Sequence, residues 1–378
     1  MKPYHEQIPL VLLTGFLGSG KTTLLRELLL HPQMSDTAVL INELGAVGLD
    51  HHLVWGASEA LLVLENGCIC CNVRDDFISA LQDLFWKRLH RQIPRFARVV
   101  IETTGIADPG PIVHAVMSDS LVAERYRLDA VITTVDAMLA QNQLDRHWES
   151  VKQVAAADVL LVTKVDLAKP ADVTQLEQRL AQLNPFAAQQ RVAHGQIEPD
   201  LLFGSIPGSA RRTAAGVTNW KARPVASTNQ ASYSLRRPAE VHSRPAEVHS
   251  RPAGVHSSPV PLKQARVRAA LHDSRIRSFT LHLHGAMERD QLLAALTAVL
   301  AQHGSRLLRI KGLVDIVDEV RPVVLQAVGD TIFPPQTLDA WPGGERAGSL
   351  VFITNELGPQ PVCDVLALHM PGRVSLAV

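Results

Sequence analysis

Several short stretches of this chain have the residue types and spacing to do chemistry. Gly15-Phe16-Leu17-Gly18-Ser19-Gly20-Lys21-Thr22 is a complete G-x-x-x-x-G-K-T, set between the apolar run Ile8 to Leu13 and the leucines Leu24, Leu25, Leu28 and Leu29. Strand, glycine loop and helix is the context in which this string holds phosphate. The glycines let successive backbone N–H groups curl inward, and the helix start adds the positive end of its dipole. Lys21 is placed to reach the β- and γ-phosphates and the Thr22 hydroxyl to bind Mg2+. The chemistry is that of a nucleoside triphosphatase, and the loop alone leaves the base open.

Two further strings narrow it. Arg98-Val99-Val100-Ile101-Glu102-Thr103-Thr104-Gly105 reads as a buried strand closing on a carboxylate, with a glycine three residues later. In phosphate-loop enzymes such an acid holds magnesium through water, and the glycine lets a backbone N–H approach the γ-phosphate. Thr163-Lys164-Val165-Asp166 follows the apolar run Val159 to Val162. The Asp166 carboxylate can accept from both N1–H and the 2-amino group of guanine, a pair of donors that adenine lacks, while the Lys164 stem covers the ring face. GTP is therefore the expected nucleotide, with GDP as product.

Three of the four cysteines lie in Cys68-Ile69-Cys70-Cys71. Clustered thiols in a long chain that is expected to stay in a reducing compartment favour metal or redox chemistry over a disulfide framework. If the segment is extended, the sulfurs of Cys68 and Cys70 share one face and Cys71 takes the other, so three thiolates on one ion require a bend or a completing ligand. Glu43 stands just past the apolar run Ala38 to Ile41, at the edge of a parallel sheet where open α/β folds bind ligands.

The elements that must position these residues alternate strand and helix. Apolar runs at Ile8 to Leu13, Ala38 to Ile41, Leu61 to Leu64, Arg98 to Glu102, Ala130 to Val135 and Val159 to Val162 read as buried strands with helical stretches between. The fold class is α/β: a phosphate-loop NTPase with a doubly wound, mostly parallel sheet over residues 1–204. Residues 205–275 are rich in Ser, Ala, Pro and Arg and too poor in large apolar residues to pack a core. They hold 12 of the 37 Lys+Arg and 3 of the 37 Asp+Glu, a basic segment on an acidic body.

Within this linker Arg237-Pro238-Ala239-Glu240-Val241-His242-Ser243 recurs once unchanged and once with Gly254 in place of the glutamate, bringing His249 and His256. A proline in every heptad rules out a coiled coil. In polyproline II the histidines stand about 22 Å apart, and one ligand per repeat favours a repeat expansion in a tolerant linker over a metal-gathering tether. From Ile276 the alternation of Phe279, Leu281 and Leu283 opens a smaller α+β domain, 276–378. Met287 to Leu300 is expected as a helix, and Leu307 to Leu313, Val323 to Val328 and Leu350 to Ile353 as strands. Cys363 reads there as a small buried hydrophobe.

The 378 residues suffice for two cores, and the zero formal net charge offers no nucleic-acid surface. The first residues lack the apolar core of a signal peptide, and no run approaches the ~20 apolar residues of a membrane span. A cytoplasmic protein with no membrane partner is expected, and a homo-oligomer is left open.

Taken in order, Gly15 to Thr23, Glu65-Asn66-Gly67-Cys68-Ile69-Cys70-Cys71, Glu102-Thr103-Thr104-Gly105-Ile106-Ala107-Asp108-Pro109 and Thr163-Lys164-Val165-Asp166 make the chain resemble the CobW-like GTPases. These are metal chaperones and metallocentre-assembly factors. Arg309-Ile310-Lys311-Gly312 looks like that family's carboxyl-terminal signature. The resemblance implies nucleotide binding by Gly15, Gly18, Ser19, Gly20, Lys21, Thr22, Thr23, Gly105, Thr163, Lys164 and Asp166. Catalysis is expected from Lys21, Thr22, Glu102 and Glu43, with slow turnover because no arginine finger or water-orienting glutamine is identifiable in the sequence.

The resemblance also implies a transition metal on Cys68, Cys70 and Cys71; Glu43, at a neighbouring strand end, is the candidate for the completing ligand or for a sensor of the γ-phosphate. Zn2+ comes first, with Co2+, Ni2+ and Fe2+ represented among relatives, and delivery is to a client metalloprotein. Relatives often carry an acid where this chain has Ala46, which removes one carboxylate ligand; His51 and His52 are nearby substitutes in sequence. A metal buffer or sensor with incidental hydrolysis, an insertase for cobalt, nickel or iron, and a thiol switch using Cys70 and Cys71 are the competing readings.

Overall fold

The computed structural model describes residues 7–41, 61–63, 73–199, 275–341 and 346–377. The first part runs β1 (Ile8–Gly15), α1 (Lys21–Leu29), β2 (Thr37–Ile41), β3 (Leu61–Val63), α2 (Val73–Leu89), β4 (Arg98–Glu102), α3 (Pro109–Ser118) and α4 (Ser120–Arg125). It continues with β5 (Tyr126–Asp136), α5 (Ala140–Arg146), α6 (Trp148–Ala156), β6 (Val159–Thr163), α7 (Pro170–Leu183) and β7 (Ala188–Val192). The described strands lie in the order β3-β2-β4-β1-β5-β6-β7, and every pairing is parallel.

Burial on both faces explains why the central strands read as unbroken apolar runs. Side chains alternate across a strand, so β1 sends Leu10 and Leu12 to one face, against Phe77, Leu81 and Val113. It sends Val11 and Leu13 to the other, against Leu24, Leu25 and Leu28 of α1. The doubly wound parallel sheet expected from the sequence is the one observed. β5 begins four residues earlier than the apolar run suggested, because Arg127 and Asp129 interrupt the run and then pair with each other at 2.8 Å.

The second part comprises β8 (Ile276–Leu283), α8 (Arg289–His303), β9 (Leu307–Val314), β10 (Val323–Val328), β11 (Thr331–Ile332), β12 (Gln336–Thr337), β13 (Gly348–Asn355), α9 (Pro359–His369) and β14 (Val374–Leu376). Its sheet is antiparallel, in the order β11-β10-β9-β13-β8-β14 with β12 on β10. α8 and α9 supply Leu292, Leu296, Val362 and Leu366 to a core with Phe279, Leu281, Ile310 and Phe352. Cys363 is partly buried against this core, and burial followed by the Asp364 charge pushes its thiol up, as suits a small hydrophobe.

The two sheets are joined through charge as well as apolar packing. Val328 and Phe333 enter the core cluster of the first domain. Arg309 and Lys311 alternate with Ile310 on β9, so both leave the α8/α9 core and reach Asp158, the residue before β6. Arg309 donates to Asp158, to the Ala156 carbonyl and, at 3.3 Å, to Gln326 Oε1; Lys311 Nζ lies 3.3 Å from Asp158 Oδ1. Burial acts to raise Asp158, but the Arg309 and Lys311 charges and the Val131 N–H outweigh it and hold the carboxyl below its ordinary range. Gly312 completes the string for a steric reason: a Cβ there would lie 2.2 Å from the Ser349 carbonyl oxygen on β13.

Candidate functional site

The glycine loop leaves the carboxyl end of β1, which is flanked by β4 and β5. Its curl is built from left-handed residues, Gly18 at φ 72° and Gly20 at φ 91°. A Cβ on Gly15 would lie 2.2 Å from Thr134 Oγ1, so the loop can rest on β5 only as glycine. Ser19 Oγ stands 2.6 Å from the same hydroxyl, and the Ser19 carbonyl accepts from Thr163 Oγ1 at 2.7 Å. Gly20 caps α1 with no side-chain hydrogen bond, which leaves the first N–H groups of the helix for a ligand.

Lys21 is 8% exposed, and its ammonium lies inside the curl, 2.7 Å from the Gly15 carbonyl and 3.3 Å from that of Phe16. Burial lowers its pKa, and the Glu102 charge opposes that shift. Thr22 Oγ1 donates to Glu102 Oε1 at 2.8 Å, joining the loop to the end of β4 across 80 residues. A hydroxyl and a buried carboxylate side by side beneath a cradle of N–H groups are the donors that magnesium on a triphosphate requires, so the described residues fit both groups.

Beyond Glu102, the Thr103 N–H continues the pairing with Leu13, and the Ala107 N–H closes a turn on the Thr104 carbonyl at 3.1 Å. Gly105 heads this turn, and a Cβ there would stand 2.7 Å from the Leu17 backbone. The turn therefore lies directly on the phosphate loop.

The expected base-reading residues follow β6. Lys164 adopts the left-handed region at φ 58°, a strained state for a side chain of this size. Its ammonium is fixed at 2.7 Å from both the Gly18 carbonyl and Asp136 Oδ2, which ties the segment after β6 to the phosphate loop. Asp166 lies 3.5 Å from Nδ1 of the exposed His194, in the loop after β7. Thr23 is exposed on α1, and a Cβ on Gly195 would come within 3.3 Å of its methyl, so this loop stands against the first helical turn.

Asp136 was missed by sequence reasoning. It is fully buried at the end of β5, accepts from the Met138 and Leu139 N–H groups, and anchors Lys164. The signal was available, since an acid closing a buried strand at the same sheet edge is what singled out Glu102. Glu43, Ala46, His51, His52, Cys68, Cys70, Cys71, His242, His249 and His256 lie outside the described residues. Among the described residues no three His, Cys, Asp or Glu side chains are grouped to hold a metal ion. No described helix is long and apolar enough to cross a membrane.

Comparison with known proteins agrees with this geometry. Residues 9–190 match the model of the CobW/HypB/UreG nucleotide-binding domain. Residues 276–367 match that of the cobalamin synthesis protein CobW C-terminal domain. Zinc chaperone YjiA of Escherichia coli (strain K12) is 42% identical over 198 residues, 52% of this chain and 61% of that protein. Zinc-regulated GTPase metalloprotein activator 1 of Schizosaccharomyces pombe is 34% identical over 200 residues, 51% of this chain and 47% of that one. The chain thus spans about six tenths and about half of the length of these two relatives.

Zinc chaperone CobW of Sinorhizobium sp is 26% identical over 378 residues and 92% of each chain. The crystal structure of Zn(II)-bound YjiA GTPase from E. coli superposes with a TM-score of 0.60 at 27% identity, covering 96% of this chain and 98% of that one. With both domain models matched in order and one solved structure superposing across both sheets, the chain belongs to the CobW family, as a CobW/HypB/UreG nucleotide-binding domain followed by a CobW C-terminal domain.

Proposed function

We propose that this chain is a GTP-hydrolysing metallochaperone that carries a transition metal, zinc first among the candidates, to a client metalloprotein. The observation that carries the nucleotide half is the single cluster of Lys21 in the glycine curl, Thr22 on Glu102 and Gly105 against Leu17. In this reading Thr22 and Glu102 would hold Mg2+, which would supply charge neutralisation for the bound β- and γ-phosphates. Lys21 sits against those oxygens, and Gly105 presents a backbone N–H to the γ-phosphate.

Asp166 selects guanine. Exchange for alanine removes two charge-assisted hydrogen bonds and should weaken GTP about 10²-fold or more while leaving weak ATP binding unmoved. Nucleotide competition checks this, and an equal loss for both bases would remove Asp166 from base recognition.

Zinc as cargo is supported by the similarity to the zinc chaperones YjiA and CobW and by the softness of Cys68, Cys70 and Cys71, with Glu43 as the completing ligand. Ile41 stands in register with both Glu102 and Val63. The chain therefore leaves β2 and β3 at the same edge that carries the magnesium carboxylate, just before Glu43 and before the cysteine string. A γ-phosphate that biases this edge biases metal affinity, and by linkage the metal biases the nucleotide state. Zinc affinity measured with GDP and with a non-hydrolysable GTP analogue should differ at least about fivefold, the lower end of ordinary coupling. Equal affinities would leave a buffer rather than a GTP-timed carrier.

A further inference from the structure

The turn that follows Glu102 is held from behind by a side chain of α6. Gln153 is 1% exposed, and its Nε2 donates to the Gly105 carbonyl at 3.2 Å and to the Ala107 carbonyl at 3.0 Å. Two carbonyls on one side fix the amide orientation, because an oxygen turned toward them would be repelled. The Gln153 backbone is itself anchored, since its carbonyl accepts from Thr133 Oγ1 on β5 at 2.9 Å. The preceding residue, Lys152, pairs with Asp108 at 2.6 Å, and Asp108 caps α3 through the Gly110 N–H. One edge of α6 thus grips both the turn and the helix that follows it.

This grip bears on one particular peptide. The Ala107 N–H holds the Thr104 carbonyl, and in a planar trans peptide the Gly105 N–H must point the opposite way. Gln153 holds two further carbonyls of the same turn, those of Gly105 and Ala107. With the loop fixed from behind and Gly105 pressed on Leu17 in front, the Gly105 N–H has one direction available.

We propose that Gln153 is a positioning residue for GTP hydrolysis, holding the Thr104–Ala107 turn so that the Gly105 N–H meets the γ-phosphate. Gln153 donates to the carbonyls of the turn, and it acts through the turn. The proposal rests on the reading of this chain as a GTP hydrolase and adds a residue that neither the phosphate loop nor the strand-end acids point to.

The test is steady-state GTP hydrolysis by the full chain, with active sites counted by GDP binding, for the wild type, Gln153→Met and Gln153→Asn. Methionine keeps the length and shape of the side chain and removes both donors; asparagine is too short to span both carbonyls. Gln153→Met should lower kcat about tenfold, with GDP affinity and the KM for GTP within about twofold of wild type. Gln153→Asn should fall between. A merely structural role would lower the melting temperature and the count of GDP-binding sites while leaving kcat per site unchanged, and that result overturns the proposal. If Gln153→Met fails to fold, Gln153→Asn decides by the same measure, and failure of both assigns Gln153 to the scaffold. A wild type that binds GTP without hydrolysing it removes the hydrolase reading and this proposal together, whereas wild-type hydrolysis with unaltered variants removes only the proposal.

Discussion

Lys21→Ala is expected to lower GTP turnover at least about 10²-fold, the loss that follows when one preorganised donor is taken from developing charge. The fold should survive it. The ammonium is buried among loop carbonyls, and burial lowers its pKa, so the folded chain gains little stability from the charge. A melting temperature close to wild type, together with lost hydrolysis, is the expected pair of results. The same variant separates two kinds of metal carrier. Loaded with zinc, a GTP-timed chaperone with this change should fail to transfer metal to an apo acceptor at the wild-type rate, while a passive buffer should transfer it unchanged.

The second large effect concerns the joint between the sheets. Asp158→Ala strands two buried cations, Arg309 and Lys311, and removal of one partner from a buried ion cluster costs about 3–5 kcal/mol. Urea unfolding of the nucleotide-free chain reads this directly, and a loss below about 1 kcal/mol would show that the cluster is not what joins the domains. Replacing all three charges together, by Asp158→Leu, Arg309→Met and Lys311→Met, should recover most of the loss, because no charge is then left buried and unpaired. The pH dependence has a definite sign. The Asp158 carboxyl is held below its ordinary value in the folded state, so its contribution is present above about pH 4 and fades as pH falls through the lower folded value. In Asp158→Ala that acid-side fall should be shallower.

Much of this site is legible in the chain because it is local. The phosphate loop, Glu102 with Gly105, and Thr163 to Asp166 are short strings whose partners are strand ends, and strand ends show as the close of an apolar run. What stayed hidden depends on residues far apart in sequence. Asp136 acquires its role only when Lys164, 28 residues on, turns back to it. Gln153 reads as one polar residue in a helix, and nothing in its neighbours announces Gly105, 48 residues earlier. β7 was not foreseen because Ala188-Gln189-Gln190-Arg191-Val192 is an edge strand with a single buried residue, so it lacks both an apolar run and a clear alternation. The Arg309 string was recognisable as a signature, yet its physical meaning appears only with Asp158, across 151 residues. Glu43 and the three clustered cysteines are read from sequence alone, and their role stays with the proposal.

The buried joint at Asp158 also bears on how such chains can change over time. Asp158 directly precedes β6, and the far end of that five-residue strand carries Thr163, Lys164 and Asp166. A second domain borrowed from a relative will seat on this strand only if its guanidinium and ammonium arrive with it, and a lone change at either partner leaves a buried charge unmatched. Acid and bases here therefore behave as a unit: across this contact, as across the packing of Val328 and Phe333 on the first domain's core, a change in one half calls for a matching change in the other.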